Sequence, residues 1–584
     1  MKKFSLIITL LFCFSTFILA DTVNKINIHY AEIPHAEKWY EEHPGELPIW
    51  LTEEELLYLD EIGKGSRSTL EPPAPVRQPS EFEPMQGVLV RYPLGISTAI
   101  VAEMAEDVIV YCVVSSYNQT SAYNAFNNAG VNMDNVEFII TSTDTYWIRD
   151  YGPWFIFNGN NEAGITDFDY NRPRPNDDAV PSVCSTYFGI NYYLMNLIAT
   201  GGNYMTDGHG ISVSTDLVWE ENPSLSHAEI NTLVEDYLGI ETYHVVPDVN
   251  GEYIKHVDCW GKYLSPTQIL IREVPTYHSQ YDEIEAAVDY FESQPSCYGT
   301  NYEVPRVNTP NNQPYTNSLI LNNKVLVPIT GSAYDSQAIA SYEAAMPGYE
   351  VLGFTGSWQS TDALHCRTMG VTDQGMLYIY HIPVTDTVTT SDDITIIASI
   401  YPYSGEALIL DSLLVYWKRS TDIDFNELIL NPIFGNAFTA DIPAQPNGTT
   451  IQYYIHAADN SDRSENNPYI GAPMAYSFYV MNSVSVDEPQ YNEITEATNY
   501  PNPFTVTTTI AFTLTHKPMD KIVVGIYNIK GQLVRIISAS SENTVVTAQW
   551  DGKSQTGQDV PAGVYFYRIT LDGKTYTQKM LKVR

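Results

Sequence analysis

The sequence predicts an α/β domain followed by two all-β modules, on three observations. From Met85 to about His381, apolar runs such as "GVLVRYP", "DVIVYCVV", "VEFIIT" and "TQILIREV" alternate with helical patterns such as "SQYDEIEAAVDYFES". Strands alternating with helices over about 300 residues indicate an α/β domain. Beyond residue 385 the helical period gives way to Thr, Tyr and Ile alternation with turn signals, as in "DITIIASIYPYS" and "TIQYYIHAADNS", which fits an immunoglobulin-like β-sandwich. From about Val484 a linker leads into a second all-β stretch that runs to the terminal "KMLKVR".

Taken in order, the chain of 584 residues opens with Met1, Lys2 and Lys3, then an apolar run from Phe4 to Leu19 closed by Ala20. That is the pattern of a secretory signal, residues 1–20. Residues 21–82 mix short helical pieces such as "LTEEELLYLDEI" with the Pro-rich "EPPAPVRQPSEFEP" and read as a pro-segment or linker. The α/β domain is expected over 83–384, the sandwich over 385–483, a linker over 484–494 and the last module over 495–584. No later run reaches the roughly 20 apolar residues needed to span a bilayer.

A formal charge of −40 argues against nucleic acid, which requires basic patches, and favours cationic ligands. Solubility alone also accounts for an acidic exported protein. Of six cysteines, Cys13 lies in the signal, leaving Cys112, Cys184, Cys259, Cys297 and Cys366. An odd number in an oxidising compartment leaves one thiol over. No CxxC or HxxxH pair suggests a zinc site.

Four stretches of the α/β domain are dense in polar residues: "YWIRDYGPW", "GGNYMTDGHG", "HVDCWGK" and "STDALHCRTMG". They carry Asp150, Asp207, His256, Asp258 and Cys366, types that together suit attack on a guanidinium carbon. The planar cation must be held by carboxylates, a thiolate must add to its carbon, and a histidine must protonate the departing ammonia and then activate water. Neither a metal nor a cofactor is required. His365 directly precedes Cys366, but neighbours on a strand face opposite ways, and His256 read singly could equally be a satisfied core histidine.

"YWIRDYGPWF", "YNRPR", "GGNYMTDG", "HVDCWGK", "YTNSLIL" and "LHCRTMGV", in that order, resemble the Porphyromonas-type bacterial peptidylarginine deiminases of the guanidine-modifying superfamily, related to agmatine deiminases. The resemblance implies a fivefold pseudo-symmetric α/β propeller (the pentein fold). It also implies Cys366 as nucleophile, His256 as general acid and base, Asp150 and Asp258 as guanidinium-binding carboxylates, and Asn317 as a further catalytic residue. Arg172 and Arg174 match a pair that grips the carboxylate at the end of a substrate chain, with Asp207 orienting the substrate and Arg172. Substrates implied are peptides or proteins ending in arginine, converted to citrulline and ammonia; agmatine or free arginine is the alternative, and an exported binding protein without catalysis a second. The segments "NYPNPF", "IYNIKGQLVRII" and "WDGKSQTGQDVPAGVYFYRI" resemble the C-terminal sorting domain of type IX secretion substrates, implying that machinery as partner and a secreted or outer-membrane surface location reached through the periplasm. Asp362 should oppose ionisation of Cys366 unless it pairs with a cation such as Arg367, and Cys259 is expected to be a small buried residue behind the site.

Overall fold

The computed structural model describes residues 40–41, 46–64, 68–251, 253–390, 392–481, 494–515, 522–542, 544–571 and 574–584. The signal expected at 1–20 and most of the linker at 484–494 lie outside them. The chain divides into two compact units, residues 1–376 with 402–406, and residues 377–401 with 407–584.

In the first unit, strands β1 (Met85–Tyr92), β2 (Ile109–Val114) and β3 (Val136–Ile140) pair in parallel. Three strands of each following sheet repeat one scheme, an antiparallel hairpin with a third strand added in parallel. They are β4 (Trp154–Phe157), β5 (Ala163–Tyr170) and β6 (Asn191–Ala199); β7 (Met205–Thr206), β8 (Ile211–Thr215) and β9 (Thr242–Val246); β10 (Gly261–Ser265), β11 (Gln268–Glu273) and β12 (Arg306–Asn308); and β13 (Leu319–Leu321), β14 (Lys324–Ile329) and β15 (Glu350–Thr355). Finally β16 (Met369–Thr372) returns antiparallel to β1, with Met369 opposite Leu89. This closing pair gives the first sheet the same scheme as the other four, among the described residues.

The central strands read as continuous apolar runs because both their faces are covered. Val110 to Val114 are all buried, as are Ile269 to Ile271. Helices such as His227–Leu238, started by a Ser226–Glu229 capping box and stopped by Gly239 at φ 73°, bury Ile230, Val234 and Leu238 against the sheets.

Two expectations are corrected here. The described part of the segment expected to be an unpacked linker is packed: Ile49 and Trp50 are 4% and 5% exposed, and Arg77 bridges to Phe157 at the end of β4. Its apolar side chains supply burial that the Pro-rich composition conceals. The α/β domain also ends at Met376, not at 384. Leu377–His381 joins a sheet of the second unit, burying Leu377 and Ile379 with Ile396 and Val415. Its alternating pattern fits either domain.

Within the second unit, residues 377–481 form two sheets around Ile396, Ile400, Val415, Ile451, Ile455 and Phe478. In Ile394–Pro402 buried and exposed positions alternate, as in a sandwich strand solvated on one side. A further pair of sheets between 494 and 584 encloses Ile510, Val524, Trp550 and Ile569.

Candidate active site

Each connection from one sheet to the next in the first unit contributes one piece of the site. The turn Ile148–Tyr151 between β3 and β4 carries Asp150; Gly201–Asn203 lies between β6 and β7; Val257–Cys259, flanked by His256, precedes β10; Asn317 precedes β13; and His365–Arg367 precedes β16. Residues far apart in sequence therefore meet because the sheets share one scheme.

Cys366 is fully buried. Asn317 Nδ2 donates to its Sγ at 3.2 Å, while Asn317 Oδ1 accepts from the amides of His365 (3.0 Å) and Cys366 (3.3 Å), so one amide side chain fixes the nucleophile's turn. Cys366 Sγ lies 3.7 Å from Asp258 Oδ2. Nδ1 of His256 lies 3.6 Å from Asp150 Oδ1. Neither that carboxylate oxygen nor either ring nitrogen of His256 has a hydrogen-bond partner, although all three atoms are buried. A Cβ at Gly202 would collide with His256 Nδ1 and stand 2.8 Å from Asp150 Oδ1, so the double glycine of "GGNYMTDG" admits this close approach. Asn203 Oδ1 steadies the same region, accepting from the amides of Thr215 (3.0 Å) and Val257 (3.3 Å).

The ionisation pattern suits a cationic ligand. Burial, followed by the negative charge of Asp258, Asp150 and Asp362, pushes the Cys366 thiol well above its usual value. Burial and Asp258 likewise push Asp150 well up, against Arg172 and Arg174. Burial would raise Asp258 as well, but the hydrogen bond and charge of His365 hold it below its usual value. Burial lowers His256 to about 4, so its ring is neutral at neutral pH. A guanidinium placed among these groups would favour the anionic forms of Asp150 and Cys366.

Behind Asp258 lies a feature the sequence did not disclose. His365 Nδ1 meets Asp258 Oδ2 and Nε2 meets Glu81 Oε2, both at 2.7 Å, so the ring bridges two carboxylates. Glu81 is held in turn by Arg149 Nη2 (2.8 Å), Lys262 Nζ (2.9 Å) and the amide of Ile320 (2.9 Å). Glu81 stands in the Pro-rich stretch read as linker. The available signal was the pair of cations in apolar surroundings, "WIRDY" and "CWGKYL", which require a buried anion.

Asp362 is paired with Arg367, Nε to Oδ1 at 2.8 Å and Nη2 to Oδ2 at 2.6 Å, so the cation needed to offset it is present. Cys259 is buried with its Sγ 3.6 Å from Asp258 Oδ1 and 3.7 Å from the Thr361 carbonyl. Cys112, Cys184, Cys259, Cys297 and Cys366 are all free thiols.

Asp207 does not join the cluster. Its Oδ1 accepts from the amides of His209 (2.8 Å) and Ile211 (2.9 Å), closing a turn in which Gly208 and Gly210 have φ of 78° and 94°. Burial raises the Asp207 carboxyl, the His209 and Ile211 amides and Cys297 act against that, and the charge of Glu83 adds to the rise. Arg172 and Arg174 do stand near enough to lower the pKa of Asp150. Arg174 is 1% exposed and is engaged by Glu55 Oε1 (2.6 Å) and the carbonyls of Pro48 (2.6 Å) and Trp50 (3.1 Å). The nearby Asp177 instead accepts from Asp144 and Thr145, and Asp178 from the Tyr170 amide.

Fold and site together define a deiminase of the guanidine-modifying class. Residues 77–371, just over half of the 584-residue chain, match the Porphyromonas-type peptidyl-arginine deiminase family, and the chain belongs to it. It is thus a hydrolase of carbon–nitrogen bonds in amidines. The agmatine deiminase of Ectopseudomonas mendocina is 25% identical over 303 residues, covering 44% of this chain and 81% of its own. That of Pseudomonas aeruginosa is 24% identical over 277 residues, covering 40% and 75%. The solved agmatine deiminase of Enterococcus faecalis superposes with a TM-score of 0.46 at 20% identity, covering 51% of this chain and 96% of that one. Residues 500–575 match the FlgD Ig-like domain. Among the described residues no helix is long and apolar enough to cross a membrane.

Proposed function

We propose that the chain converts peptide arginine, preferably at a C-terminus, to citrulline and ammonia. The observation that carries this reading is the convergence of Cys366, Asn317, Asp258 and His365 beside the His256–Asp150 pair, with buried polar atoms left without partners. Asp150 and Asp258 hold the guanidinium and neutralise it. The Cys366 thiol passes its proton to neutral His256 and the sulfur adds to the guanidinium carbon. His256 returns that proton to one amino group as the carbon–nitrogen bond breaks, releasing ammonia and leaving a thiouronium on Cys366. Water then adds to the same carbon while His256 takes one of its protons; the carbon–oxygen double bond of citrulline forms as the carbon–sulfur bond breaks, the sulfur departs with its electron pair and takes back the proton held by His256, and the remaining hydroxyl proton goes to the released ammonia.

Arg172 and Arg174 support the choice of a C-terminal arginine, because an acidic pocket repels a carboxylate unless local cations receive it. The five like-paired sheets support closure into a fivefold propeller. The signal-like N-terminus and the sorting-domain resemblance of 495–584 support export by type IX secretion to the medium or the outer-membrane surface. The test of specificity is turnover of a peptide ending in arginine, free arginine and agmatine by the same preparation. The peptide is expected to give the highest kcat/KM; if agmatine does, the role of the two arginines is wrong.

A further inference from the structure

The segment Pro48–Glu55 brings a carboxylate and two carbonyls to the arginine that should receive the substrate's carboxylate. Glu55 reaches Arg174 through both oxygens, Oε1 to Nε at 2.6 Å and Oε2 to Nη2 at 3.4 Å, an approach resembling the fork by which a guanidinium binds a free carboxylate. Glu55 is set in place by its own turn: the Thr52 amide donates to Oε2 at 2.8 Å, and the Glu55 amide donates to Thr52 Oγ1 at 3.2 Å. The carbonyl of Ile49 faces Arg172 at 3.4 Å.

The apolar part of the segment covers the other side of the site. Ile49 and Trp50 belong to the same buried cluster as Tyr146, Trp147, Val257 and Cys366. Trp50 stands edge-on to Tyr253, with ring centroids 6.0 Å apart, and the Tyr253 hydroxyl lies 3.2 Å from Thr361 Oγ1 in the loop that carries the nucleophile. One short stretch thus contacts the arginine pair directly and the cysteine loop through Tyr253.

We propose that residues 48–55 form a self-inhibitory strap in which the Glu55 carboxylate occupies the place of the substrate's C-terminal carboxylate on Arg174. This rests on the reading of Arg172 and Arg174 as the carboxylate-binding pair. Substrate entry requires the strap to lift, so the apparent affinity is reduced by the fraction of molecules in which it is closed. The same geometry explains why Arg174 is buried although its proposed ligand is external.

The test is steady-state kinetics on the full chain carrying Glu55→Gln, with Thr52→Ala as a milder variant that leaves the Arg174 ion pair intact, against a peptide ending in arginine and against agmatine. In a strap closed most of the time, Glu55→Gln should lower KM for the peptide by about tenfold, and Thr52→Ala should lower it in the same direction by less. If KM falls for agmatine alone, the strap stands and the carboxylate reading of the arginines fails. If neither variant lowers KM for either substrate while both melt within a few degrees of the unaltered chain, the strap is overturned, and the wild-type peptide-to-agmatine ratio still judges the arginines. If Glu55→Gln melts far below the unaltered chain, Thr52→Ala alone decides: a lowered KM supports the strap and an unchanged one overturns it.

Discussion

At one end of the candidate site Asp150 and His256 are buried with polar atoms unengaged; at the other, Arg174 is equally buried but already holds a carboxylate and two carbonyls. The contrast separates two reasons for burying charge. Leaving Asp150 Oδ1 without a hydrogen bond is costly and becomes favourable when a cation arrives, which is how a binding site stores selectivity. Arg174 is engaged through Nε and Nη2 from within the chain while its Nη1 is left without a hydrogen-bond partner, and the internal contacts must be undone before an external carboxylate can bind.

The sharpest way to break the guanidinium end is Cys366→Ala, which should reduce ammonia release from an arginine peptide by about 10⁴-fold or more with little change in melting temperature. Gly202→Ala comes next. A methyl group there must displace His256 or Asp150, and a fall of roughly 10²-fold in kcat is expected, since small misplacements of catalytic groups are that costly; wild-type turnover would show that the close approach is not needed. His365→Asn removes the ring that bridges Asp258 and Glu81. It should lower kcat by about tenfold and shift the pH profile to higher values, because Asp258 loses the hydrogen bond and charge that hold its pKa down.

In the unaltered enzyme, kcat/KM should rise with pH above neutrality, since Asp150 must be anionic to receive the guanidinium and is pushed up in the free protein. A profile falling over that range would contradict the assignment. The smallest effect is expected at Asp207, outside the cluster. Asp207→Asn should leave kcat within about twofold. Burial raises the Asp207 carboxyl to about 7, so its contribution to stability is present at acid pH and is lost as pH rises from the ordinary carboxylate range through about 7. The variant should flatten that part of a stability-against-pH curve.

Much of the chemistry was legible because guanidinium attack demands particular residue types, and Asp150, His256, Asp258 and Cys366 stand in dense polar motifs among apolar strands. Asn317, by contrast, was reached through the family resemblance. His365 was set aside on the rule for neighbours in a strand, but the chain there is a short 3-10 turn, where that rule does not apply. Glu81 was hidden by distance, lying 284 residues from the histidine it binds in a stretch whose composition signals a linker. Asp207 was drawn into the site by its motif, although the glycines on either side of His209 already described a tight turn that an aspartate would satisfy locally. The strand Leu377–His381 was misplaced because alternation indicates a half-buried strand without naming its sheet.

The most direct test is to quench the enzyme during turnover of a peptide ending in arginine, measure the intact mass, and map any adduct by proteolysis. The account predicts an addition equal to the peptide less one ammonia, carried by Cys366 and absent from Cys366→Ala; an adduct on Cys259, or sustained turnover by Cys366→Ala, would contradict it.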